Sequence, residues 1–311
     1  MNVWRDRLKC ISLQCKLTNM SRCFFFIIVL LSSILTGKSE TKIALLVGVS
    51  EYPSNSSIDV AWSSIHGAND ISIIGKTLKE QGFKISTLTN SFATASNIRQ
   101  AINNIQSEAT VGDIIYLHFS CHGQPMEDLD GDEDDGWDEA LVPYDASKVY
   151  VKGKYTGENH ITDDELNGYL NSIREKVGPH GFVYVVIDAC HAGSSYRGYE
   201  EEDSVIIRGT DYGFSMSNKQ YVPRIDKRSK IKIKKSASMA NICILEACRS
   251  YQVNSEIKEG GIYYGSLSYY VNKVLQATRL DGSSNWTEHV SKFMNQDIRL
   301  VRQNPVVETS L

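Results

Sequence analysis

Cysteine is scarce in this chain and poorly placed for cross-linking. Of seven in 311 residues, Cys10, Cys15 and Cys23 fall in or before an N-terminal leader, leaving Cys121, Cys190, Cys243 and Cys248. Four thiols in a domain of this size exclude a dense disulfide framework. Basic charge is also short. The net charge is −4, and beyond residue 39 there are 27 Lys/Arg against 36 Asp/Glu, which argues against nucleic acid as a partner. Nor is there an apolar run of the roughly 20 residues that a membrane span needs. The run at residues 24–35 follows Arg22 and precedes Gly37-Lys38-Ser39. It reads as a secretory signal cut before Glu40, hence a secreted or periplasmic protein that leaves the membrane with its leader; an uncleaved membrane anchor is the other reading. Apolar residues make up 41% and charged residues 23%, which excludes wholesale disorder and suits one large α/β domain or two small ones.

What is present is an alternation of apolar strands and amphipathic helices. Strands are expected at residues 45–49, 84–88, 114–119, 182–187 and 242–245, with a short edge strand at 305–307. One helix is expected near residues 70–81, and a second follows a Thr94 cap with Ile98, Ala101, Ile102 and Ile105 inward. A third opens with the capping box Thr162-Asp163-Asp164-Glu165 and turns Leu166, Leu170 and Ile173 inward. Two more are expected at residues 266–278 and 287–302. Repeated β-α-β crossovers imply an α/β fold of three αβα layers, with a mostly parallel six-stranded sheet between helices on both faces. Residues 141–145 are expected to reach the edge of that sheet. Residues 215–238 lose apolar periodicity and collect eight Lys/Arg. They read as an exposed basic linker between a region at 40–214 and one at 239–311 that completes the same domain.

Two of the strands end in a Cys-His pair. Residues 114–120 run into Cys121-His122-Gly123, and residues 182–188 into Ala189-Cys190-His191-Ala192-Gly193. In open α/β sheets the carboxyl ends of strands are where ligands bind, so a histidine from one strand end and a cysteine from another can meet. Imidazole beside a thiol is the outline of a cysteine hydrolase. His191 is poorly placed to reach its neighbour's sulfur, because successive side chains on a strand end point opposite ways. Two competing readings are non-catalytic. Cys121, His122, Cys190 and His191 supply four zinc ligands, although adjacent ligands fit structural zinc spacing badly; or the fold serves as an inactive scaffold. His66, His118, His160 and His180 carry no functional expectation, and His118 reads as a packed residue within its strand.

From about Lys42 onward these residues resemble the metacaspases, which are caspase-like cysteine peptidases. The blocks that carry the likeness are Ser120-Cys121-His122-Gly123, Asp188-Ala189-Cys190-His191-Ala192-Gly193 and the acidic segment at residues 130–133. The resemblance implies a caspase-like fold and a cysteine endopeptidase acting on protein or peptide substrates. Cys190 would be the nucleophile, His122 the general base and then acid, and the backbone N–H groups of Gly123 and Cys190 the oxyanion hole. Asp70 and Asp188, with Ser120 as a polar wall, would form a pocket for Arg or Lys. The resemblance also implies calcium as an activator held by Asp138, Asp163 and Asp164, no cofactor for the chemistry itself, and a chain that works as a monomer. Arg197 stands where a fourth aspartate is expected, with residues 200–203 near enough to replace it. Cys121 replaces a glycine and would put a second thiol beside the dyad, open to oxidation. Asp70 also suits a helix cap, and Asp163 and Asp164 suit the first turn of a helix. The basic linker then reads as a self-cleavage segment of a zymogen, with Arg228 and Lys235 as the candidate bonds.

Overall fold

Alternation in the sequence becomes alternation along the chain: β1 (Lys42–Gly48), α1 (Gly67–Glu80), β2 (Lys84–Thr89), α2 (Ala95–Glu108), β3 (Ile114–Ser120), β4 (His122–Glu127), β5 (Trp137–Val142), β6 (Ile161–Thr162), α3 (Asp163–Val177), β7 (Phe182–Asp188), β8 (Asn241–Glu246), β9 (Glu256–Glu259), β10 (Ile262–Gly265), α4 (Ser266–Leu275), α5 (Trp286–Gln296) and β11 (Val306–Thr309). The computed structural model describes residues 40–53, 61–131, 133–190, 205–223 and 233–311. Every residue of β3 and β7 is buried, as strands covered on both faces must be. The main sheet runs in the order β11-β8-β7-β3-β1-β2. It is parallel except for β11, which lies antiparallel on β8 at one edge.

Strand alternation divides the core in two. Leu45, Val47, Leu117 and Val185 face Ile98, Ile102 and Ile105 of α2 and Leu166, Leu170 and Ile173 of α3. On the other face Ala44, Leu46, Tyr116 and Val186 meet Ile71, Ile74 and Leu78 of α1, with Leu267 and Val271 of α4 and Val290 of α5. Each such Leu, Ile or Val contributes about 1.5–3 kcal/mol through burial. Together these faces are the three αβα layers expected from the crossovers.

Caps fix where the helices begin. Thr94 accepts from Asn97 N at 3.3 Å and Thr162 from Glu165 N at 3.2 Å. The second half of the expected capping box is spent elsewhere: the Glu165 carboxylate takes a fork from Arg99, Nε at 2.7 Å and Nη2 at 2.8 Å, and so ties α3 to α2. Helix α1 starts at Gly67 with His66 in the cap position, so Asp70 is not its cap. Helix α4 stops at Leu275, and α5 stops at Gln296 because Asp297 takes the N–H of Arg299 and opens a 3₁₀ turn.

Residues 141–145 do not reach the main sheet. The chain continues past β3 into β4, which pairs antiparallel with β5, and β5 with β6, in a separate three-stranded sheet. The first residues of the expected linker are pinned to that sheet rather than free. The hydroxyls of Ser215 and Ser217 donate to Glu127, and Lys219 Nζ donates to the Gly136 carbonyl. Arg228 lies outside the described residues; Lys235 is exposed. Among the described residues no helix is long and apolar enough to cross a membrane, and the leader at 1–39 lies outside them.

Candidate active site

The site stands at the carboxyl ends of β1, β3, β7 and β8. Register brings Gly48, Ser120 and Asp188 side by side at the ends of three neighbouring parallel strands. Helix α1 follows β1 closely enough that a Cβ on Gly67 would lie 2.3 Å from the Ser120 carbonyl oxygen, and its first turn swings Asp70 over the same end. Ser120 donates to Asp70 Oδ2 at 2.6 Å. Asp70, Ser120 and Asp188 are all fully buried. The three residues expected to form a basic-side-chain pocket are therefore in one place.

That pocket is filled by the chain itself. Arg208 Nη1 lies 2.8 Å from Asp70 Oδ2, 3.6 Å from Asp188 Oδ2 and 2.6 Å from Ser120 Oγ. At its other edge Arg208 Nε and Nη2 donate to Glu256 Oε1, at 3.1 and 2.8 Å. Charge explains how the acids behave. Burial pushes Asp70 up to about 7, with Asp188 and Glu256 adding to the rise and Arg208 and Ser120 opposing it. Burial would raise Asp188 too, but Arg208 and the hydrogen bonds from Asn254 and Ser268 outweigh it and hold its carboxyl below the usual range. The wall has no room for a side chain at Gly265: a Cβ there would lie 2.2 Å from Asp188 Oδ2 and 2.4 Å from Arg208 Nη1. Its bare N–H donates to Asp70 Oδ1 at 3.0 Å.

The backbone of Arg208 is held as closely as its side chain. Its carbonyl oxygen accepts from Gly123 N at 3.2 Å and from Cys190 N at 3.0 Å, so the two amides expected to form an oxyanion hole converge on one oxygen. Arg208 N donates to the Asn254 carbonyl, Glu256 N donates to the Ile206 carbonyl, and Ile207 bridges Ser255 antiparallel. Residues 206–208 thus lie as an extended strand along residues 254–256, the way a peptide adds to an exposed backbone.

His122 is buried against the stacked ring of Trp62, at 5.0 Å between centroids, and near Tyr52, whose hydroxyl accepts from His122 N. Its Nε2 lies 2.9 Å from the Ser63 carbonyl. A carbonyl only accepts, so Nε2 carries the hydrogen and Nδ1 the lone pair. Nδ1 is buried with no hydrogen-bond partner among the described residues. Burial lowers the ring's pKa to about 4 against the pull of the Ser63 carbonyl, so the ring is neutral near pH 7. The Cys190 thiol donates to the Gln252 carbonyl at 2.8 Å, and Cys248 Sγ lies 3.5 Å from Cys190 Sγ.

The thiol beside Cys190 is Cys248, not Cys121. Ser120 and His122 turn toward the site, and the residue between them turns the opposite way into the core among Leu141 and Ile187. Burial pushes the Cys121 thiol up to about 12. Packed in the core rather than beside Cys190, which has Cys248 as its neighbour, it is not gathered with the other expected ligands, and the zinc reading loses one of its four. His191 lies outside the described residues, as do Arg197 and residues 200–203. His118 is packed as expected, between the Tyr116 and Ser268 hydroxyls. His66, passed over in the sequence, bonds the Glu256 carboxylate through Nδ1. Glu256 and Arg208 were missed too. Their only signals were an acidic residue soon after the end of β8 and an Arg-Gly pair after Val205-Ile206-Ile207.

Asp138, Asp163 and Asp164 gather at β5 and the first turn of α3. Burial pushes Asp163 up to about 8, and Glu139, Asp138 and Asp164 add to the rise. All-carboxylate donors have the chemistry of a calcium site, but among the described residues no three His, Cys, Asp or Glu are arranged to hold a metal.

The sequence profile of the caspase domain of C14 peptidases matches residues 41–311. Metacaspase-1 of Eremothecium gossypii is 30% identical over 156 residues, 49% of this chain and 32% of its own length. Metacaspase-1B of Aspergillus fumigatus is 35% identical over 105 residues, 34% of this chain and 23% of its own. The matches thus span about a third or less of these curated relatives. A crystal structure of a protein from Geobacter sulfurreducens has the same fold, with a TM-score of 0.59 at 20% identity over 86% of this chain and 93% of that one. A profile match that runs the length of the folded region, together with the αβα frame and the two strand-end blocks, makes this chain a member of the caspase-like cysteine peptidase family to which the metacaspases belong.

Proposed function

We propose that the protein is a cysteine endopeptidase that cuts after basic side chains, and that it is made with its own first substrate in place. The observation that carries this is Arg208: its guanidinium fills the acidic pocket while its carbonyl oxygen takes both amides of the oxyanion hole. In the reaction, His122 Nδ1 takes the Cys190 proton and the thiolate attacks the carbonyl carbon of the basic residue. The amides of Gly123 and Cys190 hold the negative oxygen. The imidazolium then protonates the leaving amine, and water hydrolyses the thioester with His122 as base. A cysteine thiol, with a free pKa near 8.5, needs no third carboxylate for this.

The self-cleavage bond under this reading is Arg208–Gly209, not Arg228 or Lys235, and until it is cut the pocket is closed to other substrates. Calcium as an activator rests on donor chemistry alone. Asp138, Asp163 and Asp164 would hold it, and it would neutralise their crowded charge. The test is mass spectrometry of the full chain and of Cys190→Ala, each incubated with calcium or chelator, followed by fluorogenic peptides ending in Arg, Lys or Asp. A new C-terminus at Arg208 that is absent in Cys190→Ala, with peptide cleavage after Arg or Lys only, is the expected result. An intact Arg208–Gly209 bond and silent peptides under every condition would return the fold to the scaffold reading.

A further inference from the structure

The pocket holds more than the two aspartates, and the geometry points to Glu256 as the residue that makes it select a guanidinium over an ammonium, with His66 as its positioning residue. This rests on the reading of Arg208 as a substrate held in place.

A guanidinium is a planar fork with two usable edges, whereas a lysine ammonium is a single point of charge. Both edges of Arg208 are met. Nη1 faces Asp70, Ser120 and Asp188, and Nε and Nη2 on the other side face Glu256 Oε1. Glu256 is not free to follow a shorter cation. Its side chain is wholly buried, Oε1 also accepts from His66 N at 2.7 Å, and Oε2 meets His66 Nδ1. The His66 ring is itself stacked on Tyr263 at 5.1 Å. The backbone of Glu256 is fixed by its N–H on the Ile206 carbonyl. A lysine in the pocket would satisfy one edge and leave a buried carboxylate at the other without its cation, a loss that falls on Lys and not on Arg.

The experiment compares kcat/KM for matched peptides ending in Arg and in Lys, using the self-cleaved protein. Arg is expected to be favoured by about 10–100-fold. Glu256→Gln should bring the ratio below about threefold by lowering the Arg value and sparing the Lys value. His66→Ala should raise KM for Arg peptides with little change in kcat. Equal rates on Arg and Lys in the unaltered protein, or equal losses on both in Glu256→Gln, would overturn the assignment. A second measurement reads the pocket without any peptide being cut. In the Cys190→Ala chain, Arg208→Lys should lower Tm by several degrees, and by less than half as much when Glu256→Gln is also present. Additive Tm shifts would overturn the role of Glu256. Silent peptides with a coupled Tm cycle would strike the peptidase reading and leave the pocket's preference standing.

Discussion

Arg208 sits among three buried carboxylates, those of Asp70, Asp188 and Glu256. Burial first, and then the two neighbouring carboxylates that one cation does not neutralise, raise the Asp70 carboxyl from 3.8 to about 7. The folded state therefore holds that proton more tightly than the unfolded chain does. Its contribution to stability is complete below pH 4 and drains away as pH rises through 7. Asp70→Asn, which imitates the protonated acid, should flatten the fall in stability between pH 4 and pH 7; urea unfolding across that range in the Cys190→Ala chain measures it. Arg208→Gln in the same chain should cost about 3–5 kcal/mol by leaving buried charge uncompensated. The loss should be larger at pH 8 than at pH 5, because the abandoned carboxylates are more nearly protonated at the lower pH. An equal loss at both would show that the guanidinium matters for packing rather than for charge.

Elements decide which residues reach the site. Three consecutive residues at the β3–β4 junction, Ser120, Cys121 and His122, serve pocket, core and candidate base in turn, because alternate residues of an extended chain face opposite ways. The first turn of α3 combines a cap with an acidic cluster. Thr162→Ala should cost about 1 kcal/mol in unfolding free energy through loss of its bond to Glu165 N. Burial raises Asp163 to about 8, so if calcium is held there as proposed, its binding at pH 7 would displace a proton. Titration calorimetry at pH 7 in buffers of different ionisation enthalpy should show about one proton released per calcium, and none in Asp163→Asn; the same release in both would place calcium elsewhere. The main strands were legible to within a few residues because each is a short apolar run. The β4–β5–β6 sheet was not, since His122–Glu127 contains Pro125 and lacks an alternating apolar face. The β9–β10 hairpin is also short and polar, and it turns on Gly260 and Gly261, with φ of 57° and 85°, a two-residue turn that needs glycine.

At the scale of the whole molecule, a cut after Arg208 separates the chain without separating the fold. The break falls between β7 and β8, which pair along their length, and β8 is flanked on its other side by β11. The two pieces should elute together from a sizing column at the volume of the intact chain and part only in denaturant; separate elution in plain buffer would mean that the sheet does not hold them. The αβα layering and the position of both Cys-His blocks at strand ends could be read without coordinates, because both follow from local pattern: short apolar runs, period-3.6 burial in the helices, and polar residues where strands end. The occupant of the pocket, the third carboxylate and the thiol beside Cys190 could not. Asp70 meets Ser120 across 50 residues, Arg208 meets Ser120 across 88, and His66 meets Glu256 across 190. Nothing in the neighbours of an arginine or a glutamate marks it for burial. Only the folded chain, by withdrawing those charges from water, forces each to find the partner that offsets the cost.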